Sequence, residues 1–270
     1  MRGYSDFSTM RCETPREGVL AVTLNRPAQL NAINPGMIDE FDGLFGCLEK
    51  DPQIRVVILT GEGRGFCSGA DLSAAAEFRD SKAFAEPESF LRLVQERYAA
   101  LPLGLRRIPQ PVIAAINGPA VGGGLALALA SDVRFASPEA YFVASFINIG
   151  LSAGELGTSY LLPRLVGLSR AAEILYTGRK VHAEEAERIG LVNRVVAREK
   201  LMEDALALAG AMLGKNAGGL QFTKRVLDRN LGAPSLEAAV ELENRNQTML
   251  VFSGDFFRLI QAFAKGNEKQ

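Results

Sequence analysis

Histidine is almost absent from this chain: His182 stands alone among 270 residues. That argues against histidine-based metal sites and against a Ser-His-Asp triad. Cysteine is nearly as scarce. Cys12, Cys47 and Cys67 are too few and too scattered for a disulfide framework or a thiolate metal cage. Neither charge is in excess, with 30 Lys plus Arg against 31 Asp plus Glu and a formal net charge of −1. No global basic surface is therefore available to hold a nucleic acid or an anionic membrane. The first nine residues carry Arg2 and Asp6 and lack the apolar run of a secretory signal. The expectation is a soluble, cytoplasmic protein with no nucleic-acid partner.

What is present is a packed globular composition, 47% hydrophobic and 23% charged. One stretch without charge lies between Arg107 and Asp132, and Gly118 to Gly122 has the G-x-x-x-G spacing of some transmembrane dimers. Pro109, Pro111, Asn117, Pro119 and three successive glycines interrupt it. Strand, turn and buried helix explain the same residues, and no membrane span is expected.

Apolar runs at 20–24, 54–60 and 112–116 read as strands. Asn34-Pro35 signals a helix start, followed by Met37, Phe41, Leu44 and Leu48 at helical spacing. A second helix is expected over 91–105, loosened at Pro102 and Gly104, and a compact buried one over 125–130. Short strands are expected at 133–136, 141–143 and 191–196, and helices at 156–165, 170–176 and 184–189. Charged amphipathic helices fill the remainder. Strands alternating with helices, then helices alone, indicate an α/β core over 1–196 and a helical C-terminal region over 197–270.

Two glycine clusters each follow a strand, at 61–69 and 122–124. Glycine lets a backbone approach a ligand closely, and a helix N-terminus offers free N–H groups, so two facing loops would cradle a developing oxyanion. Tight strand-to-helix packing explains the glycines equally well. A dinucleotide fingerprint fails in the first loop, because Phe66 stands where the third glycine belongs, and no Walker A lysine follows either cluster. No nucleotide cofactor is expected.

Several phrases in order resemble the crotonase superfamily, the enoyl-CoA hydratase/isomerase family. They are Leu24-Asn25-Arg26-Pro27 with Asn31-Ala32-Ile33, then 65–72 (GFCSGADL), 115–124 (AINGPAVGGG), Gly178-Arg179 and 186–192 (AERIGLV). The resemblance implies a spiral of β-β-α turns, a helical C-terminal part that mediates trimerisation (a homotrimer or a dimer of trimers), and acyl-CoA thioester substrates. By motif position it gives the thioester oxygen to the N–H groups of Ala70 and Gly123 and puts the acyl-CoA substrate against Gly69, Asp71, Leu72, Gly122 and Phe146. It puts CoA against Arg26, Gln29, Asn31 and Ala32, with Phe263 in the last helix where relatives bring an aromatic residue to the CoA. A core contact is the plainer reading of Phe263.

The resemblance also exposes a departure. Hydratases of this family use two glutamates, and Ala126 and Phe146 occupy those positions, so neither can move a proton or hold a water. Glu155 falls where some isomerase members carry a carboxylate. If it opens the following helix, it would sit at an N-terminus facing the pocket. The leading expectation is an acyl-CoA enzyme with Glu155 as acid/base, better suited to isomerisation than hydration. An acyl-CoA binder that lost catalysis is the alternative, and a purely structural partner in an oligomer a third. Asp71 and Asp132 read otherwise as turn or helix-end residues, Glu62 and Glu77 as solvated charges, Cys67 as buried packing and His182 as a helix start.

Overall fold

The computed structural model describes residues 4, 6–74 and 81–267. Its main sheet has six strands in the order β1 (Met10–Arg16), β2 (Val19–Leu24), β3 (Val56–Gly61), β4 (Val112–Ile116), β6 (Val133–Ala136), β9 (Arg194–Val195). β1 pairs antiparallel with β2, and the other neighbours run parallel. Strands β2, β3 and β4 are buried along their whole length. Parallel strands covered on both faces need continuous apolar runs, and that is why these three are legible in the sequence. A second sheet joins β5 (Ala120–Val121), β7 (Tyr141–Val143) and β8 (Val181–His182).

Helix α1 (Pro35–Leu48) starts where Asn34 caps it, its side chain accepting from the Met37 N–H, and turns Met37, Phe41, Leu44 and Leu48 into the core. Helix α2 (Glu96–Arg107) follows a helical turn at Pro87–Phe90 and a π-turn at Leu91–Gln95. Pro102 lies inside α2, which ends at Arg107, before Pro109 as expected. Helix α3 (Gly123–Ala130) is buried on every side, as its Leu/Ala composition requires. The expected helices at 156–165, 170–176 and 184–189 are α4 (Thr158–Val166), α5 (Leu168–Thr177) and α6 (Ala183–Arg188). His182 holds the N-cap position of α6, exposed and without a side-chain capping bond.

Three strands escape the sequence reading. β1 carries charge, is mostly exposed and holds Pro15, all of which an edge strand tolerates. β5 and β8 are two residues each, too short for a periodic signal. The strand expected over 191–196 shrinks to Arg194–Val195.

The chain divides into two compact units, Met1–Gly210 and Ala211–Gln270, a division later than the 196/197 boundary drawn from sequence. Helix α7 (Leu201–Leu213) runs across it, with Leu201, Ala205 and Ala209 buried. The second unit holds α8 (Ala217–Asn230), α9 (Leu236–Val251) and α10 (Asp255–Asn267). Asn216 caps α8 from the Gly219 N–H and donates to Asp255 at 2.6 Å, while Ser235 caps α9. No helix among the described residues is long and apolar enough to cross a membrane.

Candidate active site

The first glycine loop leaves β3 at Gly61 and is held almost entirely through its main chain. Asn31 Nδ2 donates to the carbonyls of Glu62 (3.0 Å) and Gly65 (2.8 Å). Asn117 Nδ2 donates to Gly63 (3.0 Å) and Gly65 (3.2 Å), and its Oδ1 accepts the Gly61 N–H. Arg198 reaches in from beyond β9 and donates to the carbonyls of Asn117 and Gly63. Phe66 and Cys67 are fully buried and both give their N–H to the Pro119 carbonyl. Burial pushes the Cys67 thiol up to about 12, so packing rather than nucleophilic chemistry is its role.

The second glycine loop lies directly against the first. Val121 donates its N–H to Cys67 and Gly122 to Val143, both at 2.9 Å. Gly122 then turns at φ +53° into α3. Gly69 has φ +93°, and a Cβ there would lie 2.8 Å from the Val121 carbonyl oxygen and 3.4 Å from the Gly123 nitrogen. Only glycine allows this approach. Ala70 is bridged to Ile33 by its neighbours: Ile33 N–H donates to Gly69, and Asp71 N–H donates to Ile33. Among the described residues, neither the Ala70 nor the Gly123 N–H finds an acceptor. Both residues line one cavity of 390 Å³.

Beside the loops runs the turn 26–32, with Leu30 at φ +50° and Asn31 at φ +57°. The Arg26 guanidinium donates to the Ala32 carbonyl and to Asp71 Oδ2 at 2.8 Å. Asp71 also accepts from the Ser73 hydroxyl and N–H. The Ser73 hydrogen bond first, then Arg26, hold the Asp71 carboxyl below the usual carboxylate range. Asp71 is thus the turn residue read from sequence, accepting the Ser73 N–H at the start of the helical turn Leu72–Ala74, and a clamp on Arg26 as well. Asn31 is fully buried, and its side-chain oxygen accepts the Arg26 N–H. Ala32 is buried, and Gln29 is exposed with its carbonyl accepting from Ser68 Oγ. Phe263 lies in α10, its side chain outside the described residues, as is Glu77. Glu62 is paired with Arg11 at 2.9 Å, and Asp132 with Arg106 at 3.0 Å.

The cavity wall is largely apolar. Phe146 occupies the turn after β7, its ring edge 3.7 Å from where a Cβ on Gly122 would stand. Ala126 is fully buried inside α3. Phe84 and Phe90 meet edge to face at 4.9 Å, and Leu72 lies exposed at the same cavity. Of the polar lining groups, Arg97 is paired with Asp39, and the Tyr98 hydroxyl donates to the Ile33 carbonyl at 3.1 Å. Burial raises the Tyr98 phenol. Glu155 does not open the helix: α4 begins at Thr158, and Glu155 sits in the preceding turn, its carbonyl accepting the Thr158 N–H. Glu155 lines the cavity, and its carboxylate takes hydrogen bonds from Gln95 Nε2 at 3.2 and 3.3 Å. Gln95, from the π-turn before α2, was not foreseen, since nothing links two residues 60 positions apart in a sequence.

Residues 14–269 match the enoyl-CoA hydratase/isomerase family. The chain belongs to that family. A Mycobacterium bovis protein described as a probable enoyl-CoA hydratase is 46% identical over 265 residues, covering 97% of this chain and 93% of the relative. A crystal structure of a probable enoyl-CoA hydratase/isomerase from Mycobacterium abscessus superposes with a TM-score of 0.88 at 44% identity, covering 97% of each chain. A structure of a monofunctional enoyl-CoA isomerase from M. smegmatis matches at 45% identity and a TM-score of 0.73, covering 86% of this chain and 98% of that one. The fold is the crotonase fold, and the chain is an enzyme of a lyase and isomerase family acting on acyl-CoA thioesters. Within it, the two glycine turns and Glu155 share a largely apolar cavity whose other polar lining groups are Asp71, Gln95, Arg97 and Tyr98.

Proposed function

We propose that this enzyme shifts the double bond of an enoyl-CoA thioester, with Glu155 as its single proton carrier. The observation that carries the reading is one cavity lined by Ala70, Gly123 and Glu155, with Phe146 on its wall and Ala126 buried in α3. The thioester oxygen would accept the two free main-chain N–H groups. Glu155 removes a proton from Cα, and the electron pair passes into the carbonyl to give a dienolate whose negative charge rests on that oxygen. The same carboxyl returns the proton at Cγ. No atom is gained or lost, so no water is needed.

The magnitudes favour this arrangement. A preorganised donor to an oxyanion in a dry site contributes about 3 kcal/mol of transition-state stabilisation. Hydration would additionally need a base to hold the attacking water and a proton source for Cα. Phe146 and Ala126 offer neither, and the 45%-identical relative described as a monofunctional isomerase supports the same choice.

For CoA we assign the turn 26–32, whose Gln29 is exposed beside Ser68. Arg26 and Asn31 act there through the main-chain shape they hold, because their side chains are already engaged. Helices α8 to α10 would serve assembly into trimers. Exposed Leu227, Leu236, Phe252 and Phe257 support that role.

A binder without turnover is the second reading, favoured by the same hydrocarbon wall. Turnover of a panel of unsaturated acyl-CoAs by wild type and Glu155→Gln, with affinity by calorimetry, separates the two. Isomerisation lost in the variant with affinity retained is the expected result. Tight binding without turnover in either protein establishes the binder, and hydration insensitive to Glu155 overturns both.

A further inference from the structure

Of the polar side chains lining the cavity, Gln95 is the one that hydrogen-bonds to Glu155. It closes the π-turn Leu91–Gln95, where the Glu96 N–H reaches back to the Leu91 carbonyl. A π-turn holds one residue more than an α-helical turn, so it re-aims the side chains around it, and such turns recur at functional sites. Here the re-aimed amide meets a carboxylate from a different part of the chain. Gln95 Nε2 lies 3.3 Å from one Glu155 oxygen and 3.2 Å from the other. Among the described residues that carboxylate takes hydrogen bonds from no other side chain.

We infer that Gln95 is a positioning residue, its amide fixing the plane and direction of the Glu155 carboxylate for proton transfer. The inference rests on the reading of Glu155 as proton carrier. A carboxylate on a turn in an apolar cavity is free to rotate about its side-chain torsions, and a small misplacement of a proton-transfer group costs rate steeply. Nearly equal sharing between the two oxygens restrains the group while leaving each oxygen a free lone pair for the acyl carbons. An amide cannot itself titrate, so it steers without competing for the proton. The other ionisable groups facing the cavity are engaged elsewhere: Asp71 with Arg26, Arg97 with Asp39, and Tyr98 with the Ile33 carbonyl. None of those three can replace Gln95.

The test uses the full chain and a β,γ-unsaturated acyl-CoA, followed by steady-state isomerisation from about pH 5 to about pH 9. Gln95→Leu is expected to lower kcat by about tenfold to a hundredfold, with KM held within about threefold. Gln95→Glu keeps the shape and adds a second carboxylate. It is expected to move the acidic limb of the kcat profile up by about one pH unit or more, because adjacent carboxylates resist joint ionisation. Circular dichroism of both variants guards against misfolding. A loss confined to KM, or unaltered kcat and pH profiles in both variants while Glu155→Gln is inactive, overturns the role of Gln95. Full activity in Glu155→Gln overturns the reading beneath it instead.

Discussion

The Arg26 guanidinium and the Asp71 carboxylate meet at 2.8 Å, largely shielded from solvent, and join the turn 26–32 to the end of the first glycine loop. The same guanidinium donates to the Ala32 carbonyl, so one side chain closes both ends of the arrangement. Asp71 directly follows Ala70, and its own N–H is held by Ile33. The position of the Ala70 N–H is therefore set by the hydrogen bonds of the residues on either side of it.

Removing either partner leaves a shielded charge without its counterpart. Arg26→Ala is expected to lower stability by about 2 kcal/mol, from the loss of charged hydrogen bonds. Thermal unfolding measures the loss, and isomerase kcat is expected to fall with it. Arg26→Lys restores the charge but not the two-direction fork, so it recovers only part of the stability.

Glu40 gives the clearest dependence on pH. Burial acts to raise its carboxyl, but hydrogen bonds from the hydroxyls and N–H groups of Thr9 and Ser8 outweigh it, and the net direction is down. A carboxyl depressed in the folded state adds stability above its unfolded value of about 4.3. That contribution is lost as pH falls through the folded value. Urea midpoints of wild type and Glu40→Gln are expected to differ by an equivalent of about 2 kcal/mol near neutrality and to converge in acid. Parallel midpoints across that range would refute the assignment.

Gly69→Ala tests the contact between the glycine loops. At φ +93°, with the Val121 carbonyl oxygen 2.8 Å from the new Cβ, something in the backbone must shift. The strain is about 1–3 kcal/mol. Because the shift moves the Ala70 N–H relative to Gly123, kcat is expected to fall by about tenfold or more. Retained kcat in a destabilised variant would separate the loop's folding role from catalysis.

Phe146→Ala opens the cavity beside Gly122. Loss of an aromatic wall is expected to weaken acyl-CoA binding by about 1–2 kcal/mol, read as roughly a tenfold rise in Kd by calorimetry. Chromatographic separation of the products with mass detection is expected to show isomerisation still ahead of water addition, since no second carboxylate has been restored.

The amino-acid sequence by itself determined the strands β2, β3 and β4, the start of α1 at Asn34-Pro35 and the two glycine loops. Each depends on local physics: full burial demands unbroken apolar runs, a cap must precede its helix, and a close backbone approach demands glycine. Family phrases then carried the reading to Ala70, Gly123 and Glu155. Only the tertiary structure decided that Arg26 is spent on Asp71, that Asn31 is buried beneath the loop, and that Gln95 meets Glu155. It also decided β1, whose exposed, charged residues become a strand only because β2 offers them a free edge. Hydrogen bonds between residues 45 or 60 positions apart leave no periodicity in either segment, so no pattern along the chain reports them. They exist because the sheet order brings distant loops to one end of parallel strands, where side chains choose partners by distance rather than by sequence.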